Sequence, residues 1–269
     1  MRLLLAAYRS RSLSVAVLTP AQFAARTQAG WSGEAQPASA LLRLPSGVAV
    51  EDLAALCVAS QDVTTRWIDP PERVSAVHDK ARCLALLARA GLPVPPTVVV
   101  RRDDAPDLSE LPGEAFVVKP NRGSSGRGVT VGLGREDAAR RASAFAELCG
   151  PALIQPLLGG GIDRRLLVLG GQVVAAMERV PAGADGRANT VYGASARSIQ
   201  PNAEECRLAI AAAEVTGLLV AGVDLLKDGD RHVLLEVNTC PGLVALGSAS
   251  GVDVGTMLVN LVLSEASFD

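Results

Sequence analysis

Phe116-Val117-Val118-Lys119-Pro120-Asn121-Arg122-Gly123-Ser124-Ser125-Gly126-Arg127-Gly128 is the stretch from which the rest of the chain can be read. An aromatic and β-branched run ends in Lys-Pro, a Gly/Ser loop follows, and residues 129–131 resume as a strand. Such a loop lets backbone N–H groups approach phosphate oxygens, and a Lys at the strand end supplies a point charge. It is not a Walker A loop, because the Lys precedes the glycines and no Gly-Lys-Ser/Thr follows. Alone, the pattern reads first as a glycine-rich hairpin loop with a surface Lys.

Composition gives that Lys more weight. Of 26 Lys and Arg residues in 269, only three are lysines: Lys80, Lys119 and Lys227. A chain so biased towards Arg keeps Lys where a forked guanidinium cannot replace a compact ammonium. Hydrophobic residues at 49% and charged residues at 20% exclude a disordered chain and allow one or two domains with a sizeable core. A net charge of −2 lacks the basic field of a nucleic-acid binder, so no nucleic-acid partner is expected. No apolar run approaches the roughly 18 residues of a membrane span, and residues 3–7 are too short for a signal-peptide core. Five cysteines without a Cys-x-x-Cys pair, and only two histidines, argue against a disulfide framework or a zinc centre. A cytoplasmic protein with no membrane partner is expected.

Outward from the loop, residues 79–90 read as a helix stopped by Gly91 and Pro93, and 97–101 and 115–119 as strands. A helix over 135–148 and a buried strand over 152–155 follow. Segments 165–169 and 172–177 form a hairpin around Gly170-Gly171. Residues 202–217 read as a helix with Asn202 and Glu205 at capping-box spacing. Segments 220–226 and 232–237 form a second hairpin around Asp228-Gly229, and a last helix spans 253–263. The first 76 residues are the least legible: 3–7 and 14–18 read as short buried strands, 30–40 as a loop and 50–58 as helical. Hairpins mixed with helices argue for an α+β or mixed α/β fold rather than a fully parallel sheet.

Two further groups carry chemistry. Glu236 and Asn238 lie two apart on one strand and so share a face. With a loop somewhat longer than two residues, Asp224 on the partner strand sits opposite Glu236. Two carboxylates and a carboxamide oxygen make a hard oxygen pocket suited to magnesium. These polar residues interrupt apolar runs, and a burial-prone strand that keeps a carboxylate usually has a partner for it. The other group is the arginines between the Gly loop and the acidic strands: Arg165, Arg179 and Arg187.

Taken in order, these segments resemble the ATP-grasp ligases, most closely the RimK-type glutamate ligases and the related LysX-type enzymes. Asp79-Lys80 and Val118-Lys119-Pro120 are similar to the family's two ATP lysines, and Gly123-Ser124-Ser125-Gly126-Arg127-Gly128 to its mobile phosphate loop. Leu153-Ile154-Gln155-Pro156-Leu157-Leu158 looks like the hinge strand whose backbone reads the adenine, with Gln155 and Leu157 as contacts. Pro156 stands where relatives usually carry Glu, so no side-chain contact to adenine is expected there. Asp163-Arg164-Arg165 is similar to the family's Asp-x-Arg, and Arg179 and Arg187-Ala188-Asn189 follow at RimK-like spacing. Asp224, with Glu236-Val237-Asn238-Thr239-Cys240-Pro241-Gly242-Leu243, resembles the magnesium-binding end.

The resemblance implies an ATP-grasp domain over 78–269 after a short N-terminal α/β domain over 1–77. Two α+β subdomains, 78–150 and 151–269, would clamp ATP. It implies an enzyme joining a carboxylate to an amine through an acyl phosphate. Lys80, Lys119, Gly123, Ser124, Ser125, Gly126, Gly128, Gln155, Leu157 and Asp163 would bind ATP. Asp224, Glu236 and Asn238 would hold two Mg²⁺ ions, or Mn²⁺ in their place. Arg179, Arg187 and Asn189 would neutralise the transferring phosphoryl group. The partners implied are an amino acid or other small carboxylate and an amine on a small molecule, peptide or carrier protein, with a homo-oligomer as the assembly. A D-alanine–D-alanine-type ligase, a LysX-type enzyme acting on a carrier protein, and a nucleotide-binding regulator without turnover are the alternatives.

Overall fold

The computed structural model describes residues 2–31, 35–43, 50–62, 64–181 and 194–266. The N-terminal part holds α1 (Arg2–Arg9), α2 (Pro20–Gln28), β1 (Ser39–Ala40), α3 (Val50–Ala59), β2 (Arg66–Trp67) and α4 (Pro71–His78). Next come α5 (Lys80–Arg89), β3 (Val98–Val100), β4 (Phe116–Pro120), β5 (Thr130–Leu133), α6 (Arg135–Cys149) and β6 (Ala152–Pro156). The chain continues through β7 (Asp163–Leu169), β8 (Gln172–Val180), β9 (Ser195–Ser198) and α7 (Ala203–Thr216). It ends with β10 (Val220–Asp228), β11 (Arg231–Asn238), α8 (Leu243–Ser250) and α9 (Val254–Ala266).

Two antiparallel sheets carry the architecture, one of four strands in the order β3-β6-β4-β5 and one of five in the order β11-β10-β7-β8-β9. On the four-stranded sheet, Phe116, Val118 and Ile154 pack under Ala138, Ala142 and Ala146 of α6. The alternate residues Val117, Lys119 and Gln155 therefore face the other way. On the five-stranded sheet, Leu166, Val168, Val223 and Leu225 pack under Leu208, Ala209 and Ala212 of α7. The opposite face divides along its length. Leu167, Leu169 and Val220 pack against Leu246, Val254 and Leu258 of α8 and α9, whereas Asp163, Arg165 and Asp224 continue the same face beyond that cover. One periodicity of two thus sets core and site side by side.

Local chemistry explains the element ends. Gly170 and Gly171, at φ of 55° and 77°, close β7 and β8 in a two-residue turn, since both positions need left-handed backbone. The capping box of α7 forms as expected: Glu205 N–H donates to Asn202 Oδ1 at 2.9 Å and Asn202 N–H to Glu205 Oε2 at 2.8 Å.

Three expectations are corrected. Residues 3–7 are helical rather than a strand, because Leu4 turns into the α8–α9 core while Tyr8 packs beside it at helical spacing. A short apolar run does not by itself distinguish the two periods. Residues 14–18 form no regular element, with Val15 and Val17 exposed, and Thr19 instead caps α2 in a capping box with Gln22. A division at 150/151 would split the four-stranded sheet, because β6 lies between β3 and β4.

Candidate active site

A cavity of about 400 Å³ lies between the two sheets. From the four-stranded side Lys119 enters it, 5% exposed and with no hydrogen-bond or ion-pair partner among the described residues. Burial pushes its ammonium down to about 8, the charge of Glu236 opposing and that of Lys80 assisting. Lys80, on the first turn of α5, donates from Nζ to the Gly123 carbonyl at 2.7 Å. Asn121 docks that helix start beside β4: its carbonyl accepts from Lys80 N–H at 3.1 Å and its Oδ1 from Ala81 N–H at 2.9 Å.

Gly123, Ser124, Ser125 and Gly126 line the cavity, and Ser125 and Gly126 hold φ of 60° and 71°. Two successive left-handed residues turn the loop backbone tightly at the cavity wall. Ser124 Oγ is buried without a partner among the described residues. Gly128 has a different place. It lies outside the lining, and a Cβ there would stand 3.3 Å from Phe145 and 3.4 Å from Pro120, so it packs the loop down.

Gln155 and Leu157 both line the cavity. The Gln155 amide donates to Thr97 Oγ1 at 2.8 Å, and Leu157 N–H donates to the Ala115 carbonyl at 2.8 Å. Leu157 therefore has no free N–H for a base edge, because the β4–β6 ladder runs one residue further than the strand pattern indicated.

On the five-stranded side, Glu236, Asp224 and Arg165 form one row across β11, β10 and β7. The expected route to this pairing was a longer turn. The turn instead holds only two residues between the paired Asp228 and Arg231, and a bulge between β10 and β11 takes up Leu235. The bulge brings Leu235 and Glu236 to the cavity together and shifts Glu236 opposite Asp224. Asn238 Nδ2 donates to Glu236 Oε1 at 3.0 Å and to Asp224 Oδ2 at 3.3 Å.

Arg165 grips Asp224 through Nε to Oδ1 at 2.7 Å and Nη2 to Oδ2 at 2.6 Å. Arg179 grips Asp163 in the same forked way at 2.6 and 2.7 Å, and its Nη2 also reaches Asp224 Oδ2 at 2.9 Å. Asp163 thus acts on the cavity through Arg179. Burial works to raise the Asp224 carboxyl, but Arg165 and Arg179 more than offset it and hold it well below the usual range. Three carboxylates (Asp163, Asp224, Glu236) meet five cations (Lys80, Lys119, Arg127, Arg165, Arg179) around one space. Among the described residues no three His, Cys, Asp or Glu are placed to hold one metal ion, and Asn238 turns its Nδ2 rather than its oxygen to Asp224 and Glu236. Arg187 and Asn189 lie outside the described residues.

The sequence left some contributors unassigned. Leu84, Val131, Met177 and Leu226 build apolar walls that a flat base or ring would fill. Their signal was present for Met177 and Leu226, each two residues from an assigned polar residue on the same strand face.

The family of RimK-like ATP-grasp domains matches residues 77–262. The chain belongs to that family. A probable alpha-L-glutamate ligase of Thioalkalivibrio sulfidiphilus is 38% identical over 197 residues, 72% of this chain and 65% of that protein. The match therefore spans slightly less than two thirds of the relative's own length. Among solved structures, the D-cycloserine synthetase DcsG superposes with a TM-score of 0.76 at 22% identity, covering 99% of this chain and 94% of that one. A D-alanine–D-alanine ligase from Bacillus anthracis, complexed with ATP, gives 0.72 at 16% identity, covering 98% and 90%. These likenesses place the two sheets and the cavity within the ATP-grasp fold, as the segment order had implied. No single described helix is long and apolar enough to cross a membrane, and α8 and α9, which pass that test only as a bent pair, pack against the sheet.

Proposed function

We propose that this RimK-like protein is an ATP-dependent carboxylate–amine ligase that adds an amino acid, with glutamate first among candidates, to an amine acceptor. One observation carries the reading. A buried Lys119 ammonium, without a partner among the described residues, and the Gly/Ser loop 123–126 line one cavity with the Asp224–Glu236 pair. That arrangement suits a polyphosphate held from one side by donors and neutralised from the other. Glutamate follows from the name of the relative that shares 38% of the matched sequence.

In the proposed reaction a substrate carboxylate oxygen attacks the γ-phosphorus of ATP, ADP leaves, and an amine then displaces phosphate from the acyl phosphate. Positioning and charge neutralisation dominate such a step. Lys119 and Lys80 hold phosphate oxygens, and the 123–128 loop excludes water that would hydrolyse the activated carboxylate. Asp224, Glu236 and, once its amide turns over, the Asn238 side-chain oxygen would hold Mg²⁺, which would supply charge neutralisation between phosphate oxygens. Arg187 and Asn189 are proposed to join this site on the strength of the sequence resemblance.

The test is product mass and phosphate release with ATP, a panel of amino acids and a panel of amine acceptors. A product heavier by one dehydrated amino acid, with one phosphate released per bond, is expected. Glu236→Gln should lower turnover and shift the Mg²⁺ requirement upward with the circular dichroism spectrum unchanged. Nucleotide binding without release stimulated by any substrate pair would turn the reading towards a regulator.

A further inference from the structure

The two carboxylates read as metal ligands are already occupied by protein donors. Asp224 is 1% exposed, and its Oδ1 accepts from Arg165 Nε. Its Oδ2 accepts from Arg165 Nη2, Arg179 Nη2 and Asn238 Nδ2. The Arg165 guanidinium also reaches towards Glu236, with Nη2 3.8 Å from Oε1. It lies across the approach to the carboxylate pair, because β7 places it directly beside Asp224 in the row that ends at Glu236.

A Mg²⁺ ion needs lone pairs at about 2.0–2.1 Å in near-ideal octahedral directions, and a planar fork bonded to both oxygens of one carboxylate takes those directions. The local charges point the same way. Lys80, Lys119, Arg127, Arg165 and Arg179 already outnumber Asp163, Asp224 and Glu236 around the cavity, so a divalent ion added alone deepens a positive excess.

We propose that Arg165 is a tethered counter-cation which a divalent metal must displace from Asp224, so that metal alone binds weakly and metal with a nucleotide binds well. Phosphate oxygens arriving with the metal give the released guanidinium a new bidentate acceptor, to which its planar fork is suited. Arg165 is then a positioning residue: it couples metal loading to nucleotide binding and keeps the carboxylates satisfied between turnovers. By linkage, a group that competes with the metal lowers metal affinity by the factor by which metal loosens the group. This proposal rests on the reading of Asp224, Glu236 and Asn238 as metal ligands.

The experiment is Mn²⁺ titration of the full chain without nucleotide, followed by the electron paramagnetic resonance of free Mn²⁺. Arg165→Met should bind Mn²⁺ on the order of tenfold more tightly than wild type. Arg165→Lys should show a smaller gain, because an ammonium cannot hold both oxygens at once. The gain should vanish in Arg165→Met combined with Glu236→Gln. Natively folded Met and Lys variants that bind Mn²⁺ no better than wild type would overturn the proposal.

A wild-type measurement stands beside the variants in case Arg165→Met does not fold. The Arg165 Nε–H resonance, identified by its absence from Arg165→Lys, should move when Mg²⁺ and ADP are added together and stay in place with Mg²⁺ alone. An unmoved resonance with both ligands bound would also overturn it. A gain that survives the Glu236→Gln background, or no Mn²⁺ binding to any form even with ADP, would reject the metal site itself.

Discussion

At the scale of single residues, the site turns on an ammonium that burial disfavours. Lys119 is held down to about 8 from an ordinary 10.5, chiefly by desolvation, and phosphate oxygens favour its charged form. Two opposite pH trends result. Because the folded-state value lies below the unfolded one, this group adds stability to the free protein as pH rises from about 8 towards 10.5. Nucleotide affinity should fall over the same range, by up to about tenfold per pH unit, because the complex must then take up a proton. Calorimetry above pH 8 in buffers of different ionisation enthalpy should report that uptake, and Lys119→Met should lose both trends. A pH-independent affinity up to pH 10 would mean that Lys119 does not touch the phosphates. Lys119→Arg should also bind nucleotide more weakly, since a slot buried to this degree has no room for a fork.

At the scale of elements, strand alternation and one bulge place most of the site. Gly222 on β10 has no Cβ because Pro241 lies against it: a Cβ there would stand 2.7 Å from the Pro241 Cβ. Asn238 also donates to the Gly222 carbonyl at 3.3 Å. Gly222→Ala should therefore cost about 1–3 kcal/mol through overpacking and move the turn that follows Asn238. The expected result is a lower melting temperature together with a raised Mg²⁺ requirement, and an unchanged protein would mean that the turn yields freely.

On the opposite face of the same sheet, Glu205 is fully buried. It accepts from Arg164 at 2.6 Å, lies 3.1 Å from His232 and closes the α7 capping box. Glu205→Ala leaves Arg164, a third exposed, with Glu178 as its remaining partner and opens the capping box, so a loss of about 1–3 kcal/mol in denaturant unfolding is expected. Asn202/Glu205 was legible in the sequence from its capping-box spacing, and Asp224/Glu236/Asn238 because polar side chains interrupt apolar runs there. The Leu235 bulge was not, since nothing in a hairpin's apolar pattern marks which residue is extra. Nor was the engagement of the Leu157 N–H with Ala115, which depends on how far two strands stay paired.

At the scale of the whole molecule, the sequence suggested an N-terminal domain over 1–77, and the packing argues against its independence. Leu53, Val74 and Val77 belong to the core beneath α7, and Leu4 and Ile68 to the core beneath α8 and α9. Among the described residues, the separate cluster in this part is small: Phe23, Leu56 and Ala59, with Phe23 edge-on to Trp31 and Trp67 at 5.5 and 5.1 Å. Polar ties run the same way. Asp69 Oδ1 accepts from Leu219 N–H at 2.7 Å, Arg73 donates to the Gly217 carbonyl at 2.7 Å, and Arg43 donates to the Pro241 carbonyl at 2.7 Å. The last of these holds the turn beside the carboxylate pair. These links were illegible because they join residues about 150 to 200 positions apart, where no local period carries a signal. Deleting residues 1–77 would expose both cores of the five-stranded sheet at once. At about 25 cal/mol per Å² of apolar surface, even a few hundred Å² uncovered approaches the whole stability of a domain. A chain beginning at His78 should therefore be insoluble or unfold without a cooperative transition. Asp69→Ala, which leaves the half-buried Leu219 N–H without its acceptor, should lose only about 1–3 kcal/mol. A truncated chain that melts cooperatively within a few degrees of the intact protein would restore the N-terminal part as a separate domain.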